Sequence, residues 1–154
     1  MVKVLFVCLG NICRSPMAEF MFKDLLKKKS VSDYCYVESA GTSYEEQGND
    51  MHYGAKKKLD EEGIPYTKRE ARRIEKSDYE KFDYIIGMEE RNITDISRIV
   101  GDDEYDKVFR LLEFSENSRD IADPWYTGNF DETYNDLKEG LECFYKFLQM
   151  KREI

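Results

Sequence analysis

Histidine is nearly absent: His52 is the only one in 154 residues. A Cys–His nucleophilic pair would depend on that residue alone, and no Cys-x-x-Cys or Cys/His cluster offers a zinc site. No metal and no cofactor are therefore expected. Basic residues are in deficit, with 24 Lys and Arg against 32 Asp and Glu and a net charge of −8. Phosphate-backbone binding draws on clustered cations, so a nucleic-acid partner is not expected. The runs Lys27–Lys29 and Lys56–Lys58 read as solvated helix surface, the first at a C-terminus where cations complement the dipole. No apolar stretch approaches the ~18 residues of a membrane span, and no signal peptide is legible. A soluble, cytoplasmic protein with no membrane partner is expected, its four cysteines (8, 13, 35 and 143) mainly free thiols. Repeats, low-complexity tracts and linkers are also missing, so residues 1–154 read as a single domain.

What is present is concentrated in Val4–Ser15, VLFVCLGNICRS. An apolar run ends at Cys8, a five-residue loop follows, and Arg14 and Ser15 lead into a helical pattern. A loop closing on a helix start aims backbone N–H groups into one concavity, and the helix dipole adds positive charge. Such a nest suits an oxyanion. Arg14 adds a planar fork of donors matched to two phosphate oxygens. The same field favours thiolate over thiol, which supplies a nucleophile without a partner base. Gly10 and Asn11 are residue types that tolerate positive φ. Ser15 before Pro16 is an N-cap candidate with Pro at the first helical position, and its hydroxyl could donate to the Cys8 sulfur. A strand-end cysteine is commonly a small hydrophobe, but the Cys-x5-Arg-Ser spacing between strand and helix argues for chemistry. A nucleotide P-loop needs G-x-x-x-x-G-K-[ST]; this loop has one Gly and no Lys.

Strands are expected at Lys3–Val7, Tyr34–Ser39, Phe82–Met88 and Lys107–Glu113, and helices from Met17 to about Lys29 and over His52–Glu62, Glu89–Val100 and Asn129–Met150. Gly41–Asn49 and Glu116–Gly128 read as loops. Strands alternating with helices imply an α/β fold with a parallel sheet covered on both faces. Ligands bind beyond the C-terminal strand ends in such sheets, where Cys8 falls.

VLFVCLGNICRSPMAE resembles the signature of the low-molecular-weight protein tyrosine phosphatases, and Asp123-Pro124-Trp125-Tyr126 resembles their Asp-Pro-aromatic-aromatic loop. Val37–Ser43, Gly63-Ile64-Pro65 and Phe82–Ile86 fall between them in the family's order. The resemblance implies a three-layer fold with a four-stranded sheet of order 2-1-3-4. It implies hydrolysis of phosphotyrosine in proteins or peptides, and of small aryl phosphates, through a phosphocysteine. Inorganic phosphate is then the product and the enzyme mainly a monomer. Cys8 is the nucleophile, and Arg14 with the amides of Leu9, Gly10, Asn11, Ile12 and Cys13 holds the phosphoryl oxygens. Ser15 stabilises the sulfur. Expelling a phenolate of pKa about 10 calls for a proton donor. Asp123 is that acid, although Asp-Pro taken alone is a turn initiator.

Trp125, Tyr126 and Tyr44 are candidate walls for an aryl ring, with Leu9 and Ile12 as an apolar floor. Asn11 and Ser39 match positions that brace the loop. A histidine frequent downstream of Gly-Ile-Pro is replaced here by Lys68-Arg69, and Glu89 stands where Asp is common. Cys13 is implied as a redox partner able to form a disulfide with Cys8. Cys35 and Cys143 are read as structural, and His52 as scaffold. Arsenate reduction on the same fold would need two further cysteines after the third strand, and only Cys143 follows. Phosphotyrosine capture without turnover would need loss of Cys8, Arg14 or Asp123.

Overall fold

The computed structural model describes residues 1–154. In chain order the strands are β1 (Val2–Cys8), β2 (Cys35–Gly41), β3 (Tyr84–Gly87) and β4 (Val108–Arg110). The helices are α1 (Arg14–Lys28), α2 (Tyr53–Glu61), α3 (Asp78–Lys81), α4 (Glu90–Val100), α5 (Pro124–Thr127) and α6 (Phe130–Met150). All strand pairs are parallel and the order is β2-β1-β3-β4, as the resemblance implied.

β1 is central, and its alternation assigns side chains to two cores. Val4, Phe6 and Cys8 face the larger core with α1, α2 and α6. Leu5 and Val7 face a smaller one containing Ile74, Phe82, Ile96 and Val100. Phe6 meets Phe22 of α1 edge-on at 5.7 Å and Phe144 of α6 at 6.4 Å, a favoured aromatic geometry. Helices thus cover both faces, giving three layers. No helix is long and apolar enough to cross a membrane.

Local expectations are corrected at three places. The fourth strand stops at Arg110; Leu111–Phe114 is a 3-10 turn, with Leu111 and Leu112 fully buried. A Cβ on Gly140 would lie 2.6 Å from Leu111 Cγ, so these leucines seat on α6 and draw the chain out of the sheet. A short helix, α5, occupies part of the expected 116–128 loop, and α3 precedes β3. Helix α1 begins at Arg14 with Cys13 as its N-cap, so Ser15 is not the cap and Pro16 is not first. The Ser15 hydroxyl is engaged inside the site, at Cys8 Sγ and Asn11 Nδ2, and caps no helix amide.

Candidate active site

β1 delivers Cys8 to the C-terminal edge of the sheet, where it pairs with Gly41 in register. The loop after it is held from behind by its carbonyls. Thr42 N donates to Cys8 O and Leu9 O, both at 3.0 Å, and His52 N to Ile12 O at 2.8 Å. The amides of Gly10, Ile12 and Cys13 make no hydrogen bond within the protein, which leaves donors for an anion. Asn11 takes the positive φ of 58°, whereas Gly10 does not. Gly41 is needed for packing: a Cβ there would sit 2.7 Å from Leu9 O.

Cys8 is 4% exposed. Its Sγ lies 3.0 Å from Ser15 Oγ and accepts from Asn11 N at 3.3 Å. Asn11 is buried and fully engaged. Its Nδ2 donates to Ser15 Oγ at 2.9 Å and Ser39 Oγ at 3.0 Å. Ser39 Oγ in turn donates to Glu19 Oε1 at 2.7 Å. Asn11 Oδ1 accepts from Arg69 Nη2 at 2.6 Å and Arg72 N at 3.1 Å; Arg69 Nη2 also reaches Asn11 O at 2.6 Å. With Asn11 donating to Ser15, the single hydroxyl proton of Ser15 is free to point at sulfur or at Ala40 O, 3.3 Å away. Arg69, from the Lys68-Arg69 pair that stands where a histidine is frequent, therefore braces the loop through Asn11.

Arg14 is 2% exposed. Its Nη1 donates to Ile121 O at 3.1 Å, and Nη2 to Glu89 Oε1 at 3.3 Å and Asp123 Oδ2 at 3.2 Å. Burial opposes its charge, but Cys8, Asp123 and Glu89 outweigh burial and raise its pKa above the ordinary value. Asp123 caps α5, its Oδ1 accepting from Trp125 N at 3.0 Å, with Pro124 at the first helical position. The loop carrying Asp123 is anchored by Ile121 N donating to Met88 O at 2.9 Å and by Thr133 Oγ1 of α6 donating to Ala122 O at 2.8 Å.

These groups border a cavity of about 240 Å³ lined by Cys8, Leu9, Gly10, Ile12, Cys13, Arg14, Ser43, Glu45, Glu46, Asp123, Trp125 and Tyr126. Trp125 and Tyr126 are 70% and 81% exposed. Tyr44 is not in this lining, contrary to expectation: its ring packs on the Arg73 guanidinium at 4.5 Å, and Arg73 Nη1 donates to its hydroxyl at 3.2 Å. Asn11 and Ser39 stand behind the loop. Cys13 lines the cavity as a free thiol, and burial, with Cys8 and Asp123 nearby, pushes its pKa up to about 12. His52 caps α2, its Nδ1 accepting from Gly54 N at 3.0 Å, and stacks between Tyr53 and Phe130. No group of three or more His, Cys, Asp or Glu is arranged to hold a metal ion.

Sequence reasoning did not assign Arg69, Arg72, Ile121, Glu45 or Glu46. The signals available were slight: Arg69 at the position of the missing histidine, and Glu89 at that of a common Asp.

The sequence model described as low molecular weight phosphotyrosine protein phosphatase matches residues 3–154. The low molecular weight protein-tyrosine-phosphatase YfkJ of Bacillus subtilis is 40% identical over the full length of both chains. Its crystal structure superposes with a TM-score of 0.94, covering 98% of this chain and 96% of that one. PtpA of Staphylococcus aureus, named likewise, is 40% identical over 88% of this chain and 86% of its own. A structure of the arginine phosphatase YwlE, with its active-site serine phosphorylated in a cysteine-to-serine mutant, covers 96% of each chain at 29% identity and a TM-score of 0.82. Both the sequence match across the whole domain and the shared fold show that this chain belongs to the low molecular weight phosphotyrosine protein phosphatase family.

Proposed function

We propose that residues 1–154 form one protein tyrosine phosphatase domain that hydrolyses phosphotyrosine and small aryl phosphates through a phosphocysteine. The carrying observation is Cys8 Sγ in contact with Ser15 Oγ and Asn11 N, beneath loop amides with no internal partner and beside a buried Arg14. Cys8 attacks phosphorus in line, and the P–O bond to the phenol breaks as Asp123 protonates the leaving oxygen. Water then attacks the phosphocysteine, with Asp123 taking its proton; phosphate leaves and Cys8 returns as thiolate. Arg14 and the amides from Leu9 to Ser15 hold the equatorial oxygens in both steps. Ser15 donates to sulfur when it carries charge or departs.

Asp123 shares Arg14 with Glu89 before substrate arrives. A bound phosphoryl group competes for the same guanidinium, which frees the Asp123 carboxyl to face the leaving oxygen. Trp125 and Tyr126, with Leu9 and Ile12 below, suit an aryl ring in a slot too deep for phosphoserine to reach Cys8. Those walls favour an aryl ester over phosphoarginine, despite the likeness to YwlE. Four free thiols fit a reducing compartment, so the cytoplasm is the proposed location; a monomer is the proposed working form.

The test is release of p-nitrophenol from p-nitrophenyl phosphate at pH 5–6 with EDTA present, for wild type and Cys8→Ser. Turnover that survives EDTA and vanishes in Cys8→Ser supports the reading. No turnover by reduced wild type overturns it.

A further inference from the structure

The cleft lining holds one cation, Arg14, and it is 2% exposed and committed to the phosphoryl group. The same lining holds Glu45 and Glu46, which no step of the reaction uses. Glu45 is exposed and Glu46 half-buried. The Glu46 side chain lies across the nucleophile loop, its Cγ 3.5 Å from where a Cβ on Gly10 would be. Its Oε2 accepts from the neutral Asn49 Nδ2 at 2.7 Å, and its charge is felt at Cys13. The Ser43–Asn49 turn fixes the pair: Ser43 Oγ accepts from Glu45 N at 3.0 Å, and Glu46 O from Asn49 N at 2.9 Å. Neither carboxylate belongs to any ion pair of the protein. The cleft mouth thus carries two carboxylates without an ion-pair partner beside a site for a dianion.

An acidic neighbour of the phosphotyrosine would meet those carboxylates with no cation to offset them, while a Lys or Arg would pair with them. Trp125 and Tyr126 border the same cleft, and exposed aromatic faces also attract cations. The net charge of −8 adds steering of the same sign. We infer that Glu45 and Glu46 select phosphotyrosines flanked by Lys or Arg, an inference that rests on the phosphotyrosine reading of this cleft.

The test uses phosphotyrosine peptides identical except for Lys, Gln or Glu at the flanking positions. The readout is the ratio of kcat/KM between Lys and Glu peptides, taken within each enzyme so that a change common to both substrates cancels. In wild type the Lys peptide is expected to lead by about twofold to thirtyfold, the range two surface ion pairs supply. The ratio is expected to fall toward unity in the Glu45→Gln/Glu46→Gln double variant, and in wild type as salt rises to about 0.5 M. A wild-type ratio near one, or favouring Glu, overturns the inference; so does a ratio unchanged in the double variant. Hydrolysis of p-nitrophenyl phosphate and of the Gln peptide keeps the two readings apart. Wild type that turns over both but shows no charge preference loses only this inference, whereas wild type that turns over nothing loses the phosphatase reading as well.

Discussion

Arg69→Met tests the path from the back of the nucleophile loop to the sulfur. In the intact protein, Arg69 Nη2 holds both oxygens of Asn11 at 2.6 Å, and Asn11 orients Ser15 against Cys8. Methionine keeps much of the aliphatic stem and removes both bonds. Asn11 Oδ1 keeps its bond from Arg72 N, but Asn11 O loses its partner beside a residue that is 1% exposed. Leaving one buried acceptor unsatisfied costs about 1–3 kcal/mol. For a domain of this size that lowers Tm by roughly 2–12 °C. The larger effect is expected in turnover. Asn11 sits at positive φ and without Arg69 is free to relax, moving Ser15 relative to the sulfur. Misplacement on the 1 Å scale costs on the order of 100-fold, so kcat on p-nitrophenyl phosphate should drop by about 10- to 100-fold. KM should change less, because Arg14 and the loop amides still receive the phosphate. Arg69→Lys retains one donor and should fall between the two. Steady-state kinetics and thermal unfolding of the three proteins decide the matter. Wild-type kcat in Arg69→Met, or equal losses in the Lys and Met variants, would refute the reasoning.

Asp123→Asn preserves an N-cap for α5 while removing the proposed proton donor, so kcat on phenyl phosphate should fall by about 100-fold or more. The loss on p-nitrophenyl phosphate should be smaller because its leaving group is less basic; equal losses on both would count against the acid role. Gly41→Ala forces a Cβ to 2.7 Å from Leu9 O and should cost about 1–3 kcal/mol in urea unfolding together with activity. Iodoacetamide at pH 8 should label Cys8 before Cys13 and Cys35, because burial pushes the latter two up to about 12. Mild peroxide should oxidise Cys8 to the sulfenic acid, which Cys13 then condenses to a disulfide with loss of water. Peptide mass spectrometry reads both, and a purely sulfinic product would sink the pairing. Burial opposes ionisation of Asp103, but bonds from Tyr79 and from the Lys107 and Val108 amides outweigh it and hold the carboxyl below its ordinary range. Its folded pKa is depressed, so its stabilisation is present above the unfolded value of about 3.9 and is lost as pH falls through the folded one. Asp103→Asn should flatten the acid limb of the Tm–pH curve, and an unchanged limb would exclude Asp103 as a contributor.

Sequence by itself determined much of the architecture. Val4–Val7 must be buried on both faces, the run of strand and helix patterns requires a parallel sheet, and Cys-x5-Arg after the first strand puts thiol and guanidinium at one loop. These features are local: periodicity, residue type and short spacing carry them. The same locality misled at Leu111–Phe114, where two leucines look strand-like yet seat against Gly140, about thirty residues away in the chain. It misled at Ser15, whose hydroxyl is drawn to Cys8 and Asn11 rather than to a helix end, and at Tyr44, captured by Arg73. Only the tertiary structure decided that Arg69 is the brace, that Glu89 and Asp123 divide Arg14 between them, and that Glu45 and Glu46 face the cleft. Each of those contacts joins segments 30 to 110 residues apart. Side-chain propensity carries no information about such pairs; they exist because the parallel crossovers bring the loops after β1, β2 and β3, together with the loop before α6, to one edge of the sheet.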